Sequence, residues 1–240
     1  MTISRRRVGA VLHKELRDLR RSGNVVYAMV VLPLVFLIQP VIQLFAIPSS
    51  GSATLHHEHT LIYLLAVPAL VPAPLASYSI VGERVQGTLE PLLSTPVREQ
   101  ELIFGKALAV FLPSVAVSYA VFGLFIAIVE MFAAPGVAPA LVQVPDVVVQ
   151  ILFTPLLVIW SIWIGMAISA RSSDIRTAGQ LSILVSLPTV AITSLIAFNV
   201  IPANLRVASA FGIGLLVLDR IGWRAAASLF SRERLITTTK

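Results

Sequence analysis

Six long apolar stretches constrain this chain more than any other feature. They cover residues 24–47, 60–81, 107–129, 147–170, 177–198 and 205–218. The first five contain no Asp, Glu, Lys, Arg or His, and the sixth carries only Arg206 near its start. A bilayer core about 30 Å thick is crossed by about 20 apolar helical residues. In hydrocarbon, a helix satisfies its backbone hydrogen bonds within one segment. The expected fold is therefore an all-α polytopic membrane protein with six transmembrane helices in one domain, residues 1–240. The sixth stretch is short and would be completed by Ile201 upstream and by Asp219-Arg220 snorkelling downstream. With 57% hydrophobic and 12% charged residues and a mean hydropathy of +0.89, the composition excludes an ordinary soluble domain. There is no cysteine, so disulfides, thiolate chemistry and Cys-ligated metals are excluded.

Charge sets the orientation. Of the 18 Lys and Arg, all but Arg206 lie before the first stretch, between the second and third, between the fourth and fifth, or after the sixth. Six crossings put those segments on one side, and the positive-inside rule makes that side the cytoplasm. Both termini are thus expected inside, in the inner cell membrane. The net charge of +6 reads as this asymmetry rather than as a nucleic-acid footprint.

Residues 1–23 are basic, and Val8, Val11, Leu12, Leu16 and Leu19 share one helical face. That pattern predicts an amphipathic helix lying in the membrane interface against anionic lipid. Glu15 falls on the apolar face. It either snorkels or pairs with a nearby Arg, or it makes a polar contact to the segment described next or to a partner subunit docked there. Arg5-Arg6-Arg7 is followed too late by an apolar run, and one too long, for a cleaved leader. The first stretch is read as a retained span.

Residues 82–106, GERVQGTLEPLLSTPVREQELIFGK, mix charge, Gly, Thr and Pro between two spans. Thr88, Leu89, Leu92 and Leu93 fit one apolar helical face, with Glu83, Arg84, Gln86 and Glu90 more to the polar side. Gly82 and Gly87 are expected to loosen the backbone at the entry, and Pro91 and Thr95-Pro96 limit that helix. A second short amphipathic run, 97–106, is expected to feed the third span. So ordered and charged an elbow reads as a docking surface.

This elbow resembles the permease subunits of ABC-2-type transporters. Their cytoplasmic segment E-R-x-x-G-T-L-E-x-L-L-x-T-P, followed by G-K, stands here as Glu83-Arg84, Gly87-Thr88-Leu89-Glu90, Leu92-Leu93, Thr95-Pro96 and Gly105-Lys106. Lys14-Glu15-Leu16 and Phe230-Ser231-Arg232-Glu233-Arg234-Leu235 are similar to two further family patterns. The resemblance implies a coupling helix that meets separate ATPase subunits, two copies, which would bind ATP and Mg. It also implies a second permease copy, identical or related, and export. The coupling residues it implies are Glu83, Arg84, Gly87, Thr88, Leu89, Glu90, Leu92, Leu93, Thr95 and Pro96, with Glu15 beside them. The basic tail, 219–240, closes the chain.

Several other features carry less. Gln39, Gln43, Ser118, Tyr119, Ser186 and Thr189 are candidates for the lining of a substrate path. The alternative is plain helix–helix hydrogen bonding. Pro68, Pro72 and Pro74 should kink or break the second span, giving either a hinge or a static bend. His56, His57, Glu58 and His59 have metal-capable side chains, but nothing else in the chain reinforces them, and a solvated loop is expected. Gly82 to Thr88 has phosphate-loop spacing but lacks the lysine and the preceding strand. The chain itself is therefore expected to bind no cofactor and to catalyse nothing. No internal repeat is visible. The other readings are a non-transporting membrane scaffold and an enzyme acting at the outer histidine loop.

Overall fold

The computed structural model describes residues 4–46, 59–88, 97–134 and 137–229. Within them the structure is helical, with no strand. The helices are α1 (Arg5–Arg21), α2 (Gly23–Ala46), α3 (Thr60–Tyr63), α4 (Ala66–Leu70) and α5 (Pro72–Val85). They continue with α6 (Glu99–Phe132), α7 (Ala138–Leu141), α8 (Val144–Arg171), α9 (Ile175–Ala197) and α10 (Leu205–Leu229). Four segments are long and apolar enough to cross a membrane: Thr60–Val85, Glu99–Phe132, Val144–Arg171 and Ile175–Ala197. The first and sixth expected stretches fall in α2 and α10, of 24 and 25 residues.

The centre of the bundle is the broken segment α3–α4–α5. Leu61, Ala66, Ala69, Ala73 and Ala76 are each 0% exposed. The proline-driven break expected from sequence is present. Pro72 opens α5 at its first turn, where a missing N–H costs nothing. Around the breaks the backbone tightens into short turns, with Leu64 N–H donating to Leu61 O at 3.1 Å and Val67 N–H to Leu64 O at 3.1 Å. Irregular backbone is tolerated at membrane depth only when protein buries it, and α6, α8 and α9 surround this segment.

Lipid tails are as apolar as leucine, so close approach and hydrogen bonds hold the helices together. At Gly165 of α8 an added Cβ would collide with Ala73 O and lie 2.8 Å from the Ala76 Cβ. Ser169 enters the α5 ladder: its hydroxyl donates to Ser77 O and accepts from Val81 N–H at 3.0 Å. On the other side of α8, Trp163 meets Trp223 edge-on at 5.3 Å and Phe153 stacks on Phe211 at 5.5 Å, docking α10. α1 lies across the start of α6, where a Cβ at Gly105 would come within 2.7 Å of Val11.

Two helices run past the expected spans. The run 97–106 feeds the third span as expected, with Glu99–Lys106 forming the first turns of the 34-residue α6. The sixth stretch lies in α10, which carries Asp219, Arg220 and Arg224 on to Leu229. Both extensions have one cause. Polar residues do not end a helix when neighbouring helices or water satisfy them; only caps and prolines end one locally. Residues 230–240, including the terminal resemblance, lie outside the described residues.

Candidate functional site

At the end of the bundle where α5 stops and α6 begins, four charges from three helices converge. Lys106 of α6 is 1% exposed. Its Nζ lies 2.9 Å from Glu15 Oε1 of α1 and 2.9 Å from Glu83 Oε2 of α5, and donates to Ser79 O at 2.8 Å. The approach to Glu83 is an ion pair without hydrogen-bond alignment, whereas those to Glu15 and Ser79 O are aligned. Lys14, half exposed, adds 2.6 Å to Glu83 Oε1 and 3.2 Å to Glu15 Oε1. Two ammoniums and two carboxylates balance within the cluster, which is the condition for burying such groups at tolerable cost, and the exposed Asp18 lies 3.7 Å from Lys14 Nζ at its rim.

The electrostatics follow from this packing. Burial disfavours a charged Glu15, but the Lys106 ammonium and its hydrogen bond, then Lys14, outweigh it and hold the carboxyl below its ordinary 4.5. Burial likewise disfavours the Lys14 ammonium. The Glu83 hydrogen bond and the charges of Glu15 and Glu83 overcome it, raising Lys14 above the ordinary 10.5. This arrangement holds Glu15 and Lys14 in their charged forms at neutral pH.

Glu15, out of place by helical angle, is thus 8% exposed and bound to Lys106 at the far end of the elbow. Of its two readings, snorkelling gives way to a polar contact, made to lysines rather than to arginine. A second tie lies alongside. Glu101 accepts from Ser4 N–H at 2.9 Å and from Arg98 N–H at 3.1 Å, and pairs with Arg7 at 3.1 Å. α1 is therefore fastened to the α6 start at its first turn and again at Glu15.

The residues that leave α5 have local roles. Arg84 reaches the end of α8, donating to Ser172 O at 2.6 Å and to Ala170 O at 3.4 Å, where helix carbonyls lack internal donors. Gly87 has φ of +68°. Gly87 N–H donates to Arg84 O at 3.1 Å and Thr88 N–H to Glu83 O at 2.9 Å. That pair of bonds is a Schellman stop, which requires a left-handed residue at Gly87. The Gly-Thr of the elbow thus ends α5. Gly82, expected to loosen the backbone, instead sits inside α5 with its Cα face against the Tyr78 ring. Leu89, Glu90, Leu92, Leu93, Thr95 and Pro96 lie outside the described residues.

The six candidate path residues lie on α2, α6 and α9. Ser118, Ser186 and Thr189 donate to Ser114 O, Ser182 O and Ser186 O on their own helices, at 2.8, 2.9 and 2.8 Å. Tyr119 donates to Ile151 O at 2.9 Å, joining α6 to α8. Gln43 accepts from Thr60 at 3.4 Å, and Gln39 Oε1 is buried without a partner among the described residues. At the opposite end of the bundle His59 contacts Asp146 at 2.9 Å. No group of three or more metal-capable residues occurs among the described residues, and His56, His57 and Glu58 lie outside them.

Lys106 is the residue sequence reading passed over. It was legible only as the final residue of the Gly105-Lys106 match, directly before an apolar run, where a lysine ordinarily snorkels.

An all-helical bundle with at least four membrane-length helices and a broken central segment is a multi-pass membrane protein. A family model described as ABC-2 family transporter protein matches residues 9–217, and the chain belongs to that family. No curated protein matches the chain at a significant level. As a member it is a membrane permease subunit, of a kind that generally has no catalytic site of its own and works with an ABC ATPase.

Proposed function

We propose that this chain is the export-side permease of an ATP-driven transporter, moved by ATPase subunits that dock on residues 82–96. Two permease copies, identical or related, would form the pathway, with two ATPases on the cytoplasmic side. ATP and Mg would bind the ATPases. The cargo class that fits charge-poor spans is a drug, lipid or other amphiphile. One observation carries this reading: the Lys14–Glu15–Glu83–Lys106 cluster clamps both ends of the elbow to the interfacial helix. A push on the elbow would reach α1, the broken segment and α6 together, because the charges that join them cannot separate cheaply. Leu89, Leu92 and Leu93 would fill a groove on the ATPase, and Glu83, Arg84 and Glu90 would set register by charge.

The test is a complex reconstituted with its ATPase. Glu90→Lys should lower permease-stimulated ATP hydrolysis and transport severalfold while leaving the melting temperature of the permease unchanged. Unchanged stimulation and transport would remove the coupling claim. A reading frame beside this one that encodes G-x-x-x-x-G-K-[ST] would support the partner, and a pull-down that finds no ATPase would favour a scaffold.

A further inference from the structure

The end of the bundle opposite the charge cluster contains a cleft of about 460 Å³ between α3, α8, α9 and α10. Its volume lies in the range of small-molecule sites, roughly 300–1,000 Å³. The walls are apolar, formed by Ile62, Leu65, Val149, Phe153, Ile196 and Phe211. Four polar side chains also line it: His59, Asp146, Thr193 and Asn204. Three of these are engaged. Thr193 donates to Val190 O at 3.0 Å, and Asn204 caps α10 by accepting from Val207 N–H at 2.9 Å. His59 Nδ1–H donates to Asp146 Oδ1 at 2.9 Å, the only sense in which a carboxylate can take part.

Asp146 keeps one group free. It is 2% exposed, and its Oδ2 has no hydrogen-bond partner among the described residues. A buried carboxylate oxygen left without a donor is costly, and such a vacancy asks for one. No Lys or Arg lines the cleft. The site therefore combines an apolar channel with a single unpaired acceptor of negative charge, and the ligand that complements both has an alkyl body and a cationic N–H head. A carboxylate head would be repelled and a hydroxyl head would gain only a neutral donor bond.

We propose that this cleft is a binding site for amphiphiles with a primary ammonium head, which donates to Asp146 Oδ2 while the alkyl chain lies against Phe153 and Phe211. The proposal concerns occupancy of this chain alone. It is read without ATPase, so its failure leaves the transport reading standing, and the reverse also holds.

The experiment uses the full chain in lipid nanodiscs and radiolabelled dodecylamine, corrected for empty discs, with dodecanol and dodecanoate as competitors. Dodecylamine should bind about tenfold tighter than dodecanol, because both partners of its bond to Asp146 are charged and only the acceptor is charged in the alcohol's, and dodecanoate should compete least. Asp146→Asn should abolish the preference for the amine while keeping dodecanol binding. Ala208→Trp, which puts a large side chain into the cleft and leaves Asp146 itself unaltered, should weaken all three probes. Equal binding of the three probes to the unaltered chain would overturn the proposal. So would an amine preference that persists in Asp146→Asn, or full binding in a folded Ala208→Trp chain.

Discussion

Replacing Lys106 with methionine tests the charge cluster most directly. Methionine approximates the lysine stem, so packing against α1 and α5 changes little and the ammonium is what is lost. Lys106 Nζ makes contacts of 2.9, 2.9 and 2.8 Å to Glu15, Glu83 and Ser79 O. Without it, two carboxylates, 8% and 7% exposed, share the single half-exposed Lys14. Removing one partner of a buried pair costs about 3–5 kcal/mol, and the water that reaches Lys14 puts this case at the lower end, about 3 kcal/mol. For a chain of this size each kcal/mol moves the melting temperature roughly 2–4 °C, so a fall of about 6–12 °C is expected in nanodiscs. The decisive comparison is the double variant Lys106→Met with Glu15→Gln. It restores electroneutrality and should recover part of the loss, with a coupling of about 0.5–3 kcal/mol. A Lys106→Met chain melting within about 2 °C of the parent would refute the reasoning, as would strictly additive single and double effects.

Two other perturbations follow from the same geometry. Because the folded pKa of Glu15 lies below 4.5, its stabilisation is present above pH 4.5 and is lost as pH falls through the folded value. Lys14, raised above 10.5, contributes fully below 10.5 and loses its share as pH rises through its folded value. The melting temperature should therefore hold a plateau between those limits, and Glu15→Gln should flatten the acid limb. An unchanged acid limb in that variant would assign the loss to other groups. At Gly165, alanine should destabilise by about 1–3 kcal/mol, since the new methyl meets the fixed Ala73 carbonyl and overpacking outweighs a helix-propensity gain of about 1 kcal/mol. Gly123→Ala, with nothing within 4 Å of its Cβ, serves as the control and should be neutral or stabilising by thermal unfolding.

The elbow shows how far sequence reading reaches at a site. Gly87 was expected to loosen the backbone and Thr88 to lie on an apolar helical face, whereas the Schellman bonds end α5 at that Gly-Thr, by local bonds. Pro72 opening α5 and the breaks before it are equally local, since a proline lacks its N–H whatever surrounds it. Glu15 was visible as an anomaly of helical angle, but its partner was not. Lys106 looked like a snorkelling end of a span, and nothing near it in the chain says otherwise. Gly82 looked like a loosener and proved to be a packing position, because its neighbour Tyr78 lies one turn back on the same face.

The sequence by itself determined that this is a helical membrane protein, where its apolar segments lie, and which one is broken. Hydrophobic length, proline and glycine act on the residues beside them, so a linear reading captures their effect. Only the tertiary structure decided that Glu15 meets Lys106 across 91 positions, that Lys14 meets Glu83 across 69, and that Asp146 is left with an unpaired oxygen. Those outcomes depend on which helices meet at each end of the bundle. The energy of a buried charge is set by the partner it finds there, which no local pattern encodes.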